Sequence, residues 1–177
     1  PGTPYSYLNY NDEKYEMSAS EYTKYKETYG RTASKYLNAL IQNDNYTNAS
    51  NDEKVTMIGK MYDYAKALAN EEYFSNKDVD YESDNLKAIN VLNDLNMTSD
   101  NIGEYVSLTT KSSEIKNMDN LDAKDKKQQI TDLMIKSSLN DEQLGYTYLK
   151  YYSNKSTINS MLSLNIPIKE YIKFNSQ

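Results

Sequence analysis

The chain has 177 residues, a net charge of -6, 19 Tyr, and neither Cys, His nor Trp. Without Cys there is no disulfide framework, thiolate nucleophile or Cys-based metal centre. Without His the commonest general base and metal ligand are missing, so Ser-His-Asp and Cys-His constellations are excluded. The acidic balance argues against a domain whose main work is gripping nucleic acid, and no run is apolar enough for a transmembrane helix or placed as a signal peptide.

The length allows one or two domains with a packed core. Tyr, Asn, Lys and Ser in such numbers are what an AT-rich genome writes, and a Tyr at a core boundary buries its ring while its hydroxyl reaches water. The chain begins Pro1-Gly2 rather than with Met, and reads as a segment of a longer polypeptide.

In chain order, Tyr5-Ser6-Tyr7-Leu8-Asn9-Tyr10 and Lys14-Tyr15-Glu16-Met17 alternate apolar and polar around the turn cluster Asn11-Asp12-Glu13, which predicts a small β-hairpin. Two strands alone are marginal, so the hairpin must lean on the helices beyond it. Ser18 and Glu21 form a capping box, with Met17 and Tyr22 as its hydrophobic staple, and the helix they open is expected to reach Tyr29 with Gly30 as a left-handed cap. A second helix over 32–42 presents Ala33, Tyr36, Leu37, Leu40 and Ile41. Ser50 and Glu53 open the longest helix, with a stripe of Val55, Ile58, Met61, Tyr62, Ala65, Leu68 and Ala69. Residues 1–75 thus read as a hairpin plus three-helix unit.

Residues 76–84 carry Asp78, Asp80, Glu82 and Asp84 at alternate positions. A calcium loop is a poor fit, since Ser83 stands where a sharp turn needs Gly and Ile89 where a bidentate acid is required. An acidic linker is the better reading. Beyond it, residues 85–177 read as a repeat-like unit of short helices over 86–95, 99–110, 122–137, 140–152, 156–164 and 167–174. Asn140 with Gln143 is cap-like, Leu139 with Leu144 staple-like, and Pro167 suits a first helical turn. Leu95-Asn96-Met97 and Leu164-Asn165-Ile166 form a weak internal repeat, and Tyr22, Tyr105 and Tyr171, each behind a Glu, read as anchors plugged into the core near helix starts. The fold class is mainly α, a small N-terminal β-hairpin followed by a bundle or array of short helices.

Chemistry-bearing patterns are few. No Gly arrangement suits a nucleotide, and no cofactor or metal is expected. The acid pairs Asp12/Glu13, Asp52/Glu53, Glu71/Glu72 and Asp141/Glu142 meet the minimum for glycoside hydrolysis, but Asp52/Glu53 and Asp141/Glu142 lie in first helical turns, where acids complement the helix dipole. The sequons at Asn45, Asn48, Asn96 and Asn154 are of the kind an Asn-rich chain contains by chance, and Lys124, Lys126 and Lys127 read as a solvated face. The rings of Tyr146, Tyr148, Tyr151 and Tyr152 cannot all face one side of a helix, so some are expected at a protein interface.

The run from Lys14 to Tyr25, then Thr28-Tyr29-Gly30, Asp52-Glu53-Lys54 and Met61-Tyr62-Asp63-Tyr64-Ala65-Lys66-Ala67-Leu68-Ala69, resembles a recurring segment of large phage and prophage structural proteins of Gram-positive hosts. The stretch Ile166 to Phe174 is similar to helix starts that come later in those proteins, whereas their Asp/Gly-rich turn before a Lys-rich helix has no Gly counterpart in 114–124. The resemblance implies a non-enzymatic, virion-associated module, structural or internal and of a kind ejected with the genome. Its partners would be other phage structural proteins or neighbouring modules of one polypeptide, in the virion or the host cytoplasm. The rival class is a small acidic helical binder that inhibits a host defence protein, and a third is a carboxylate-only cell-wall hydrolase.

Overall fold

The computed structural model describes residues 3–152 and 154–177. It begins with strands β1 (Ser6–Tyr10) and β2 (Glu13–Met17), antiparallel with Ser6 opposite Met17 and Tyr10 opposite Glu13. Asn11 and Asp12 make the turn at φ 51° and 62°. A two-residue turn of that hand matches the strand twist, and Asn and Asp are the non-glycine residues that tolerate it best. This register puts Leu8, Tyr10, Tyr15 and Met17 on one face, where they pack on Tyr73 and Phe74.

Helix α1 spans Ala19–Ile41 and starts at the expected capping box: Ser18 Oγ accepts from the Glu21 N–H at 3.2 Å, and the Glu21 carboxylate accepts from the Ser18 N–H at 3.1 Å. It does not stop at Gly30, which is not in the left-handed region. The break expected there is corrected to one continuous helix. The face of Thr28, Ala33, Tyr36 and Leu40 stays buried across the glycine, and that burial outweighs a helix cost of about 1 kcal/mol for Gly. After the short α2 (Asp44–Thr47), α3 (Asn51–Ser75) runs antiparallel to α1 from a second capping box, Ser50 with Glu53. Of the expected stripe Met61, Ala65 and Ala69 are buried and Ile58 and Leu68 half-buried, joined by Met57 and Tyr64, while Val55 is 69% exposed and Tyr62 lies at the surface.

Residues 76–84 are not a free linker. Val79 and Tyr81 pack with the hairpin cluster, and the Tyr81 ring stacks on Phe74 at 5.4 Å. The Tyr10 hydroxyl donates to the Glu82 carbonyl and accepts from the Glu82 N–H at 3.1 Å. Asn70, buried on α3, accepts from the Tyr25 hydroxyl and donates to that of Tyr81, tying α1, α3 and this strap together.

Beyond the strap lie α4 (Asp84–Asp94), α5 (Ser99–Lys116), α6 (Ala123–Lys136), α7 (Asp141–Tyr148), α8 (Lys155–Ser163) and α9 (Ile168–Asn175). The Leu-Asn-Met and Leu-Asn-Ile repeat has a defined structural meaning. Asn96 (φ 58°) and Asn165 (φ 55°) each end a helix in the left-handed region, with Met97 N–H bonded to Leu92 O and Ile166 N–H to Met161 O, both at 2.9 Å. These are Schellman caps, in which the residue after the cap reaches back over the last turn.

One apolar core draws Tyr36, Leu40, Met57 and Met61 from before the strap and Ile102, Leu108, Ile130, Leu144 and Ile172 from after it. The expected division into 1–75 and 85–177 is therefore not a division between cores. The cause is α5, which packs directly on α1 and continues to Lys116 rather than ending near 110.

Candidate interaction surface

Helix α7 and the turn after it carry the four rings expected at an interface. A capping box sets its start, with Asn140 and Gln143 exchanging bonds of 2.9 and 3.0 Å. Gln143 also donates to the Leu95 carbonyl at 2.9 Å, anchoring α7 to the end of α4. From this fixed start the rings diverge.

Tyr148 points into the core and is 1% exposed, so of the four rings expected to include some at an interface, this one is not at the surface. Helix α9 returns over α7 and covers it: Tyr171 meets its ring edge-on at 6.4 Å and the Asn175 amide donates to its hydroxyl at 2.8 Å. Burial pushes the Tyr148 hydroxyl pKa up, partly offset by the Asn175 bond. Tyr151 is half-buried, its hydroxyl donating to the Thr109 carbonyl at 2.8 Å beside Ser113 Oγ at 2.9 Å. Tyr146 stacks on Tyr105 at 6.3 Å beneath Lys150, whose ammonium is 4.9 Å from the Tyr146 ring centre. Tyr146 and Tyr151 thus tie α7 to α5.

Tyr152 remains. Its ring has Lys116 Nζ at 4.2 Å and Lys127 Nζ at 5.3 Å, within the range of attraction between a cation and an aromatic face. Its hydroxyl is shielded from solvent and has no hydrogen-bond partner among the described residues. Beside it opens a cleft lined by Lys127, Tyr151, Tyr152, Asn154, Tyr171 and Asn175. Neither Lys116 nor Lys127 has a carboxylate within 4.0 Å among the described residues, whose ion pairs are Lys77–Glu21 at 2.6 Å and Lys111–Glu53 at 3.5 Å. Lys127, read from sequence as part of a solvated face, therefore belongs to this ring site. Lys116 carried no sequence signal, because its pairing with Tyr152 depends on how α5 lies against the turn after α7.

The three anchor tyrosines are not equivalent. Tyr22 and Tyr171 are fourth in their helices, whereas Tyr105 is seventh in α5 because that helix starts at Ser99. Tyr105 is buried, while Tyr22 and Tyr171 are half-buried. Burial first, then the neighbouring Tyr64 and Tyr146, pushes the Tyr105 pKa far up.

The acid pairs separate into individual structural tasks. Glu53 completes its capping box and meets Lys111, while the neighbouring Glu53 carboxylate, and then burial, push the Glu114 carboxyl above its ordinary value. Glu72 accepts from the Thr28 hydroxyl at 2.8 Å. Asp141 accepts from the Ile168 N–H at 3.1 Å, capping α9 where Pro167 offers no side-chain acceptor. Asn96 and Asn154, flagged as sequons, occupy a Schellman cap and the N-cap of α8. Among the described residues no group of three or more acidic side chains is arranged to hold a metal, and no helix is long and apolar enough to cross a membrane. No protein-family model matches the chain, and comparison with curated proteins and with solved structures returns no match.

Proposed function

We propose that this chain is a non-enzymatic module of a phage virion, a structural or internal protein that works through protein–protein contacts. The observation that carries the reading is the placement of its exposed apolar side chains: Phe174 at 75%, Val55 at 69%, Leu164 at 68% and Tyr5 at 65%. They lie just before the hairpin, at the start of α3, at the end cap of α8 and on α9, which suits a module with neighbours on more than one side. The resemblance of residues 14–69 to phage structural segments supports the same reading, and Glu53, Glu72 and Asp141 from the acid pairs have ordinary structural roles.

The test is mass spectrometry of purified particles from a host that carries the gene, before and after genome ejection. Recovery of the chain with particles, or its loss on ejection, agrees with the reading. Recovery only from the infected cytoplasm would overturn it. That outcome would favour the binder of a host defence protein, a reading supported by the outward carboxylates at 78, 80, 82 and 84.

A further inference from the structure

The charge of this chain is unevenly divided along the sequence. Residues 1–104 hold 18 Asp and Glu against 10 Lys and Arg, a net of -8, whereas residues 105–177 hold 8 against 10, a net of +2. Within the acidic part, Asp78, Asp80, Glu82 and Asp84 are exposed while Val79, Tyr81 and Ser83 between them are half-buried. Asp78 lies in a left-handed turn and Asp84 opens α4, whereas Asp80 and Glu82 stand two residues apart in the stretch between, with Cα atoms at most about 7 Å apart. The strap thus presents a row of carboxylates, and none has a Lys or Arg within 4.0 Å among the described residues. Its backbone is held in place by Tyr10.

Within the basic part, Lys116 and Lys127 both approach the ring of Tyr152, so their ammonium groups are no more than about 10 Å apart. Lys127 lines the cleft with Tyr151, Tyr152 and Tyr171, and the Tyr152 hydroxyl has no hydrogen-bond partner among the described residues. Two unneutralised ammoniums within that reach suit the paired carboxylates of Asp80 and Glu82. Asp80 and Glu82 of the same molecule, beside Tyr81 on Phe74, do not reach them, although the strap's end runs back along α3 to Asn85 beside Lys60. Glu53, near the start of α3, touches Lys111 near the end of α5, whereas the strap packs on Phe74 at the far end of α3. At 1.5 Å per residue these ends of α3 are about 30 Å apart.

We infer that the cleft at Lys116, Tyr152 and Lys127 receives the acidic strap of a second copy of this chain, giving head-to-tail association. The contact is heterologous, so each copy keeps one free cleft and one free strap, and assembly continues into a ring or an open array. Its charges are exposed, so salt weakens it, most strongly at 1 M, where the Debye length is about 3 Å. This inference goes beyond the virion reading and is tested separately from it: the chain can associate without being in a particle, or be in a particle without associating.

Sedimentation velocity of the full chain over a concentration series, at low ionic strength and at about 1 M salt, decides it. The expected result is association at low salt that falls at least tenfold in high salt. The double variant Lys116→Glu/Lys127→Glu and the double variant Asp80→Lys/Glu82→Lys each lose that association tenfold or more alone, and an equimolar mixture of the two recovers it. Circular dichroism checks that the variants stay folded, and Lys116→Gln/Lys127→Gln, which adds no new charge, replaces the first pair if it does not. A wild-type chain that stays monomeric, association unchanged by either variant, or a mixture that does not recover it would overturn the inference.

Discussion

Gly103 on α5 lies against the backbone of Ala39 on α1, so close that a Cβ at 103 would stand 2.5 Å from the Ala39 carbonyl oxygen and 2.7 Å from its carbon. The atoms in the way are main chain and cannot rotate aside, so the helices must separate to admit a methyl group. Gly103→Ala is expected to lose about 1–3 kcal/mol through overpacking, even though Ala is the better helix former. Gly30→Ala is the converse case: nothing lies within 4 Å of the added Cβ, the helix is continuous there, and a gain of up to about 1 kcal/mol is expected. Urea unfolding of both variants checks the pair. A Gly30→Ala variant less stable than the parent would mean that α1 does break at 30.

The contrast between these glycines shows what was legible in the sequence. The hairpin turn and the capping boxes at Ser18, Ser50 and Asn140 are set by residues within three or four positions of one another, and they form as read. The repeat around Asn96 and Asn165 was visible as a pattern, though its meaning as a pair of helix ends needed the backbone angles. Gly30 misled because a glycine signals a helix end only when nothing buried lies beyond it. The α1–α5 crossing, the covering of Tyr148 by α9 and the lysines around Tyr152 join residues far apart in the chain, and no local spacing encodes them.

The anchor tyrosines separate by burial. Tyr105→Ala and Tyr148→Ala remove rings that are 4% and 1% exposed and are each expected to cost about 3–5 kcal/mol. Tyr22→Ala and Tyr171→Ala remove half-buried rings, for which about 1–2 kcal/mol is expected from the smaller apolar area returned to water. Thermal melts rank the four variants. Equal losses at all four would show that the three anchors are interchangeable plugs after all.

Asp141 and Glu142 are adjacent carboxylates with different tasks, and substitution separates them. Asp141→Ala strips the acceptor from the first N–H of α9 and is expected to cost about 1 kcal/mol. Asp141→Asn keeps an acceptor oxygen and most of that stability. Glu142 is exposed, and Glu142→Gln is expected to be close to neutral. Denaturant midpoints measure all three, and an Asp141→Ala midpoint equal to the parent's would remove the capping role.

The tyrosines also set an alkaline limit. Burial pushes the Tyr25 hydroxyl up to about 12 and raises those of Tyr36, Tyr64, Tyr105 and Tyr151 as well. A tyrosine ionises near pH 10 in the unfolded chain. A folded-state pKa above that value means the neutral form is favoured by the fold, so the stability is fully present below pH 10 and is lost as pH rises towards the folded values. Each such group removes about 1.4 kcal/mol per pH unit across its window, and several act together. Stability is therefore expected to fall steeply above pH 10, and the tyrosinate absorbance of the buried set to rise in one cooperative step with loss of helical circular dichroism. A single smooth titration with the helix signal intact would show that the buried hydroxyls ionise within the fold, and that these rings are not closed off from water as the structure has them.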